Sequence, residues 1–542
     1  MRPDDPRPGD AHPGGSGPGD AGLRDGRRDR GLVRLHAGDF HGIEGRPVEV
    51  QVDFCRRGDP RFQVVGLAGK STRESRDRIQ AALRNSGYRI PPAKILVNLA
   101  PASQKKEGAG FDLPVALGIL LASSTVDKSP GARVDRARLS RMGFLGELGL
   151  EGELRAVRGA LLMADAMVRE GVREIVVPSG NVEEVAMLEG PIVYGVRHLR
   201  EAIDVIRGDG VPFASEPAPK KRVTDAIDFS EVRGQEATKR GILIAAAGGH
   251  NVLLCGAPGV GKTMLARRIP TILPELSVRA AMEVMRVRSV CEGDRGAHLD
   301  RSAPFRAPHH TVSYAGLVGG GAPLTPGEVT RAHRGVLFLD EFPEFAPRAL
   351  EALREPLEER EITVGRVAHA ATFPADLLLV AAMNPCPCGY LGHPKRPCRC
   401  TPRQVELYGR RLSGPLRDRI DVFLPVASLD PAQWIGRAPR GDELDSATMR
   451  REIVGARRRQ HARWKGAVVN ARASLKRLVS PRVVAPEALE LLRQHAERLS
   501  LSARGFTRTL KVARTIADVA GEERVEERDI VEALMYREAM EM

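Results

Sequence analysis

Residues 256 to 263 read Gly256-Ala257-Pro258-Gly259-Val260-Gly261-Lys262-Thr263. The stretch follows the apolar run Val252-Leu253-Leu254 and opens onto Met264-Leu265-Ala266-Arg267, so it is a turn between a strand and a helix. Glycines in such a turn let successive backbone N–H groups wrap phosphate oxygens at a helix N-terminus. Lys262 then reaches the β and γ oxygens and the Thr263 hydroxyl becomes a ligand for Mg²⁺. The pattern predicts an ATP site with Mg²⁺ on a parallel sheet that has helices on both faces.

Moving outward, Val336-Leu337-Phe338-Leu339-Asp340-Glu341 is an apolar strand that ends in two acids. Asp340 suits Mg²⁺, and Glu341 suits the general base that activates water. A third apolar strand, Leu377-Leu378-Leu379-Val380-Ala381-Ala382-Met383, delivers Asn384 to the same strand ends as a γ-phosphate sensor. With these three motifs in this order the chain resembles the AAA+ ATPases. Asp418-Arg419-Ile420-Asp421 and Ser502-Ala503-Arg504 strengthen the match. The resemblance implies that Arg419 is a finger acting on a neighbouring subunit and Arg504 a second sensor, with Arg411, Arg417 and Arg508 as rivals. A finger acting in trans implies a ring, expected to be a hexamer.

The chain has 542 residues, 42% hydrophobic, 28% charged and 4% aromatic, the profile of several folded units and not of one small module. Lys plus Arg exceed Asp plus Glu by 83 to 69, a net +14 that favours a polyanionic partner such as DNA. No apolar run reaches the ~18 residues of a membrane span, and no apolar N-terminal run reads as a signal peptide, so a cytoplasmic protein is expected. Residues 1–31, rich in Pro, Gly, Asp and Arg, read as a disordered tail. Residues 32–207 read as a mixed α/β domain, 208–225 as a solvated linker, 226–430 as the ATPase core and 431–542 as a helical lid. Within the first domain a strand at Val48 to Val52, a helix at Ser71 to Ser86 and a Gly-rich hairpin around Gly143 to Gly152 are predicted.

Short motifs in both folded regions resemble the magnesium-chelatase-like family called YifB or ComM. They include Ser75-Arg76-Asp77-Arg78, Phe111-Asp112-Leu113-Pro114, Ala307-Pro308-His309-His310 and Ser413-Gly414-Pro415-Leu416. The first domain resembles the peptidase domain of Lon-type proteases, but Gly110 stands at the place of the nucleophilic Ser and Leu161 at that of the Lys. An inactive scaffold or collar is therefore expected. Arg360 to His369 alternates, turns and returns as a β-hairpin. In related branches such a hairpin enters the ring pore, where Arg366 would track a DNA backbone. His309-His310 is read as a structural pair.

Seven cysteines are present, four of them between Cys386 and Cys400. Cys386, Cys388, Cys398 and Cys400 suit tetrahedral Zn²⁺, with four reduced thiols as the other reading, while Cys55, Cys255 and Cys291 look isolated. The resemblance implies an ATP-hydrolysing DNA motor, a helicase for branch migration in DNA uptake and recombination. The alternative is a chelatase-type motor that remodels a protein partner for Mg²⁺ insertion.

Overall fold

The structure is a computed structural model that describes residues 30–57, 59–66, 70–102, 106, 110–127, 134–214, 227–292, 299–321, 324–366, 369–428, 444–466, 468–499 and 501–538. Nearly all of the expected tail, and of the linker the residues 215–225, lie outside the described residues. The chain forms two compact units, Met1–Asp39 with Gly45–Phe213, and Phe40–Glu44 with Ala214–Met542. No described helix is long and apolar enough to cross a membrane.

The first unit is built on a seven-stranded mixed sheet. Its strands run in the order Arg61–Val65, Lys94–Ala100, Glu44–Cys55, Arg30–His41, Met142–Phe144, Glu174–Pro178 and Ile192–Val196. In the third of these Val48, Val50, Val52 and Phe54 are buried and the residues between them are not, the period of two that the sequence shows. Helices Lys70–Asn85 and Asp112–Asp127 add Ile79, Leu83, Leu113 and Leu117 to the same core. The Gly-rich segment differs from expectation. Met142–Phe144, which contains Gly143, joins the large sheet in parallel, and the hairpin forms later, between Glu147–Leu148 and Leu154–Arg155. Burial of all three residues of Met142–Phe144 explains the difference, because a fully apolar strand belongs inside a sheet.

The second unit carries a five-stranded parallel sheet in the order Phe305–Arg306, Val336–Leu339, Leu378–Met383, Val252–Cys255 and Val422–Pro425. Register pairs Leu253 with Ala381 and Ala381 with Leu339, so the carboxyl ends of the three central strands stop at one level. That edge is where ligands bind in open parallel sheets. Helices Ser446–Trp464, Ala503–Ala520 and Glu527–Glu538 place Met449, Ile453, Leu510, Ile516 and Ile530 in one core with Leu254 and Leu265. The C-terminal helices thus share the hydrophobic core of the five-stranded sheet. Glu361–Arg366 and His369–Pro374 pair antiparallel with Arg366 opposite His369, a hairpin whose Ile362 and Phe373 are buried. Gly365 lies within the strand opposite Ala370, so the glycine is not the turn. The Arg366 side chain lies outside the described residues.

Candidate functional site

The turn Gly256 to Gly261 joins the strand Val252–Cys255 to the helix Lys262–Ile272. Gly259 and Gly261 take φ of 79° and 96°, left-handed values that a side chain would oppose. At Gly256 a Cβ would stand 2.5 Å from the Val426 carbonyl oxygen. Glycine is therefore required twice by backbone angle and once by close approach. The helix starts at the carboxyl edge of the sheet, an arrangement whose N–H groups suit an anion.

Lys262 is buried and folds back over the turn, donating to the carbonyls of Gly256 at 2.6 Å and Ala257 at 3.0 Å and to Asn384 Oδ1 at 3.0 Å. Burial lowers its pKa, and the nearby Asp340 carboxylate opposes that shift. The Thr263 hydroxyl donates to Asp340 Oδ2 at 2.6 Å, so the two expected Mg²⁺ ligands already meet. Their all-oxygen donor set fits a hard divalent cation. Asp340 Oδ1 accepts from the Glu341 N–H at 2.9 Å. Glu341 itself sits at φ 51°, a left-handed angle that costs a non-glycine residue about 1–3 kcal/mol. Lys262, Thr263, Asp340 and Asn384 are thus brought together, with Glu341 beside them.

His310, read from sequence as a structural residue, belongs to this site. Its Nδ1 lies 3.0 Å from Glu341 Oε2, and its ring meets Phe345 edge-on with centroids 6.5 Å apart. The signal was positional: Ala307-Pro308-His309-His310 follows the strand Phe305–Arg306, which pairs directly with the acid-bearing strand.

The expected arginines sort by the acids they pair with. Arg419 is 3% exposed, donates to the Pro415 carbonyl at 2.7 Å and pairs with Glu358 Oε1 at 2.6 Å. Arg504 is exposed and reaches the same oxygen at 3.3 Å. The two sequence choices therefore converge, but on Glu358 and not on Lys262, Thr263 or Asp340 of their own chain. Of the rivals, Arg508 pairs with the buried Asp421 before the strand Val422–Pro425, at the opposite edge of the sheet. Arg411 pairs with Glu344 at 2.8 Å.

In the first unit the surroundings of Gly110 are apolar, with Met163 and Val157 nearest, and Leu161 is fully buried. Neither position carries a nucleophile or a base.

Among known proteins, the family described as magnesium chelatase, subunit ChlI matches residues 228–434, and two further ChlI families match 48–181 and 443–537. The chain is 39% identical to the uncharacterized protein YifB of Salmonella typhimurium over 510 residues, covering 93% of this chain and 97% of that one. It is 37% identical to the competence protein ComM of Haemophilus influenzae over 512 residues, with the same two coverages of 93% and 97%. The magnesium-chelatase 38 kDa subunit of Cereibacter sphaeroides is 26% identical over 276 residues, 47% of this chain and 75% of that subunit.

Proposed function

The chain belongs to the YifB/ComM family of magnesium-chelatase-like proteins, and on that premise we propose that it is a ring-forming, ATP-hydrolysing DNA motor. The observation that carries this reading is the meeting of Lys262, Thr263, Asp340 and Asn384 at one edge of a parallel sheet, with Glu341 beside them. The phosphates of ATP lie in the turn Gly256 to Gly261, and Lys262 exchanges two carbonyls and Asn384 for β and γ oxygens. Thr263 and Asp340 would hold Mg²⁺, whose charge would offset that of the phosphate oxygens. Glu341 leaves His310 and takes the proton of the attacking water, while Asn384 orients that water against the γ-phosphate.

Arg419 and Arg504 serve the neighbouring subunit's nucleotide together. Glu358 holds both guanidiniums in the single chain, as a phosphate would in the ring. The active form is accordingly an oligomer, with a hexamer as our reading. The first unit acts as a Lon-like scaffold without peptidase chemistry, and the C-terminal helices act as the lid. The hairpin that ends at Arg366 tracks the phosphate backbone of single-stranded or branched DNA, in keeping with the net +14 charge. One relative's name, competence protein, agrees with a helicase or branch-migration role in DNA uptake and recombination.

The test is the ATPase rate with and without single-stranded, duplex and branched DNA at two salt concentrations. Stimulation that fades with salt is expected. No stimulation by any of the three would overturn the DNA motor and favour a chelatase-type motor acting on a protein partner.

A further inference from the structure

Cys386-Pro387-Cys388 begins two residues after Asn384, and Cys398-Arg399-Cys400 hands the chain to the helix Pro402–Arg410. The Sγ atoms of Cys386 and Cys388 lie 3.4 Å apart, and each lies 3.6 Å from that of Cys398. All four sulfurs fall within 4.8 Å of one another. Four thiolates at about 2.3 Å from one Zn²⁺ form a tetrahedron with edges of about 3.8 Å, whereas a disulfide needs about 2.05 Å. The spacing is that of a metal site. Backbone donors point the same way: the N–H of Cys388 bonds Cys400 Sγ at 3.4 Å, and the N–H of Cys400 bonds Cys398 Sγ at 3.4 Å. Such bonds stabilise negative sulfur around a cation.

We propose that Cys386, Cys388, Cys398 and Cys400 bind one Zn²⁺, and that this metal fastens the loop that positions Asn384 and the phosphate turn for ATP. The loop Cys386 to Cys400 reads CPCGYLGHPKRPCRC, with only Tyr390 and Leu391 as large apolar residues, too few to hold it by a core of its own. It nonetheless touches the nucleotide site in three ways. Gly389, at φ 83°, presses so close to Pro258 of the phosphate turn that a Cβ would stand 2.5 Å from its Cδ. Asn384 Oδ1, just before the first ligand, takes the Lys262 ammonium. After the last ligand, Thr401 and Gln404 form a capping box that starts the helix, and that helix returns the Tyr408 hydroxyl to the Asn384 backbone. The four cysteines are positioning residues in this scheme, acting through Asn384 and the phosphate turn.

The metal site stands on the sulfur geometry alone, whereas the coupling rests on the ATP site proposed above, and the two are tested separately. Elemental analysis of the full chain should find about one zinc per chain, lost in Cys398→Ser/Cys400→Ser and kept in Cys400→His. Replacement by Co²⁺ should give the absorption bands of a tetrahedral thiolate site. Folded wild type, grown with zinc yet free of metal, would overturn the site. For the coupling, a fluorescent ATP analogue should bind about 10–100-fold more weakly to the double Ser variant, with affinity restored in Cys400→His. Gly389→Ala should keep its zinc and still bind the analogue more weakly, a readout that survives if the double variant fails to fold. Zinc-replete Gly389→Ala with wild-type nucleotide affinity would overturn the coupling and leave the metal site standing.

Discussion

Replacing Glu341 by Gln keeps the shape of the side chain and removes its capacity to take a proton. Glu341→Gln should bind ATP as the wild type does and hydrolyse it about 10²–10⁴-fold more slowly, measured by nucleotide titration and phosphate release. Undiminished hydrolysis would remove Glu341 as the base. His310 makes a second prediction at this scale, because its Nδ1 engages the Glu341 carboxylate at 3.0 Å. If that contact restrains the base, His310→Ala should raise turnover severalfold in the absence of DNA, with nucleotide affinity unchanged. A fall in turnover would instead make His310 a partner in the chemistry. The place of Glu341 beside Asp340 and the phosphate turn was legible in the sequence, because the acid follows directly on an apolar strand. His310 was not, because its role comes from the pairing of Phe305–Arg306 with Val336–Leu339, two strands about thirty residues apart in the chain.

At the scale of the element, the helix Asp112–Asp127 starts with a buried carboxylate. Asp112 lies 2.7 Å from Arg78 of the helix Lys70–Asn85 and accepts the Leu148 N–H at 3.2 Å. Burial raises its pKa from 3.8 to about 6, against the pull of Ser75 and Arg78. Between about pH 4 and pH 6 the folded chain therefore keeps a proton that the unfolded chain has released, so the stability due to this group falls as pH rises through that window. A shift of about two units corresponds to roughly 3 kcal/mol. The thermal midpoint of the wild type relative to Asp112→Asn should drop by several degrees from pH 4 to pH 6, followed by near-ultraviolet circular dichroism. A difference that does not vary with pH would refute the assignment. The C-terminal helices carry a related buried group, since Asp518 binds Arg463 at 2.6 Å and Arg514 at 3.0 Å and accepts from Asn470 at 2.7 Å. Asp518→Ala should cost about 3–5 kcal/mol by leaving Arg514 buried without its partner, read from denaturant unfolding of the second unit. Helices such as Lys70–Asn85 were legible from their 3.6-residue period. The hairpin at Glu147–Leu148 and Leu154–Arg155 was not, because glycines mark a bend without saying which flanking residues will pair.

At the scale of the whole molecule, the proposed ring makes the decisive prediction. Arg419→Ala alone should bind ATP and fail to hydrolyse it, and so should Glu341→Gln alone. Mixed in equal amounts, the two should recover part of the wild-type rate, because some interfaces then pair an intact Arg419 with an intact Glu341. No recovery would count against an arginine acting in trans. The shared contact with Glu358 adds that Arg504→Ala should behave in such mixtures as Arg419→Ala does.

Taken by itself, the sequence determined the strand–turn–helix at Gly256 to Thr263, the acids Asp340 and Glu341, Asn384 and the mixed α/β fold. These are local facts, written in glycine placement, apolar runs and strand-end polar residues within a few positions of one another. Tertiary structure alone decided that His310 meets Glu341, that Arg419 and Arg504 share Glu358, and that Gly389 of the cysteine loop presses on Pro258. Those contacts depend on strand order, on the packing of distant helices and on the path of a loop, and no short window of sequence encodes the distance between side chains that only the folded backbone brings together.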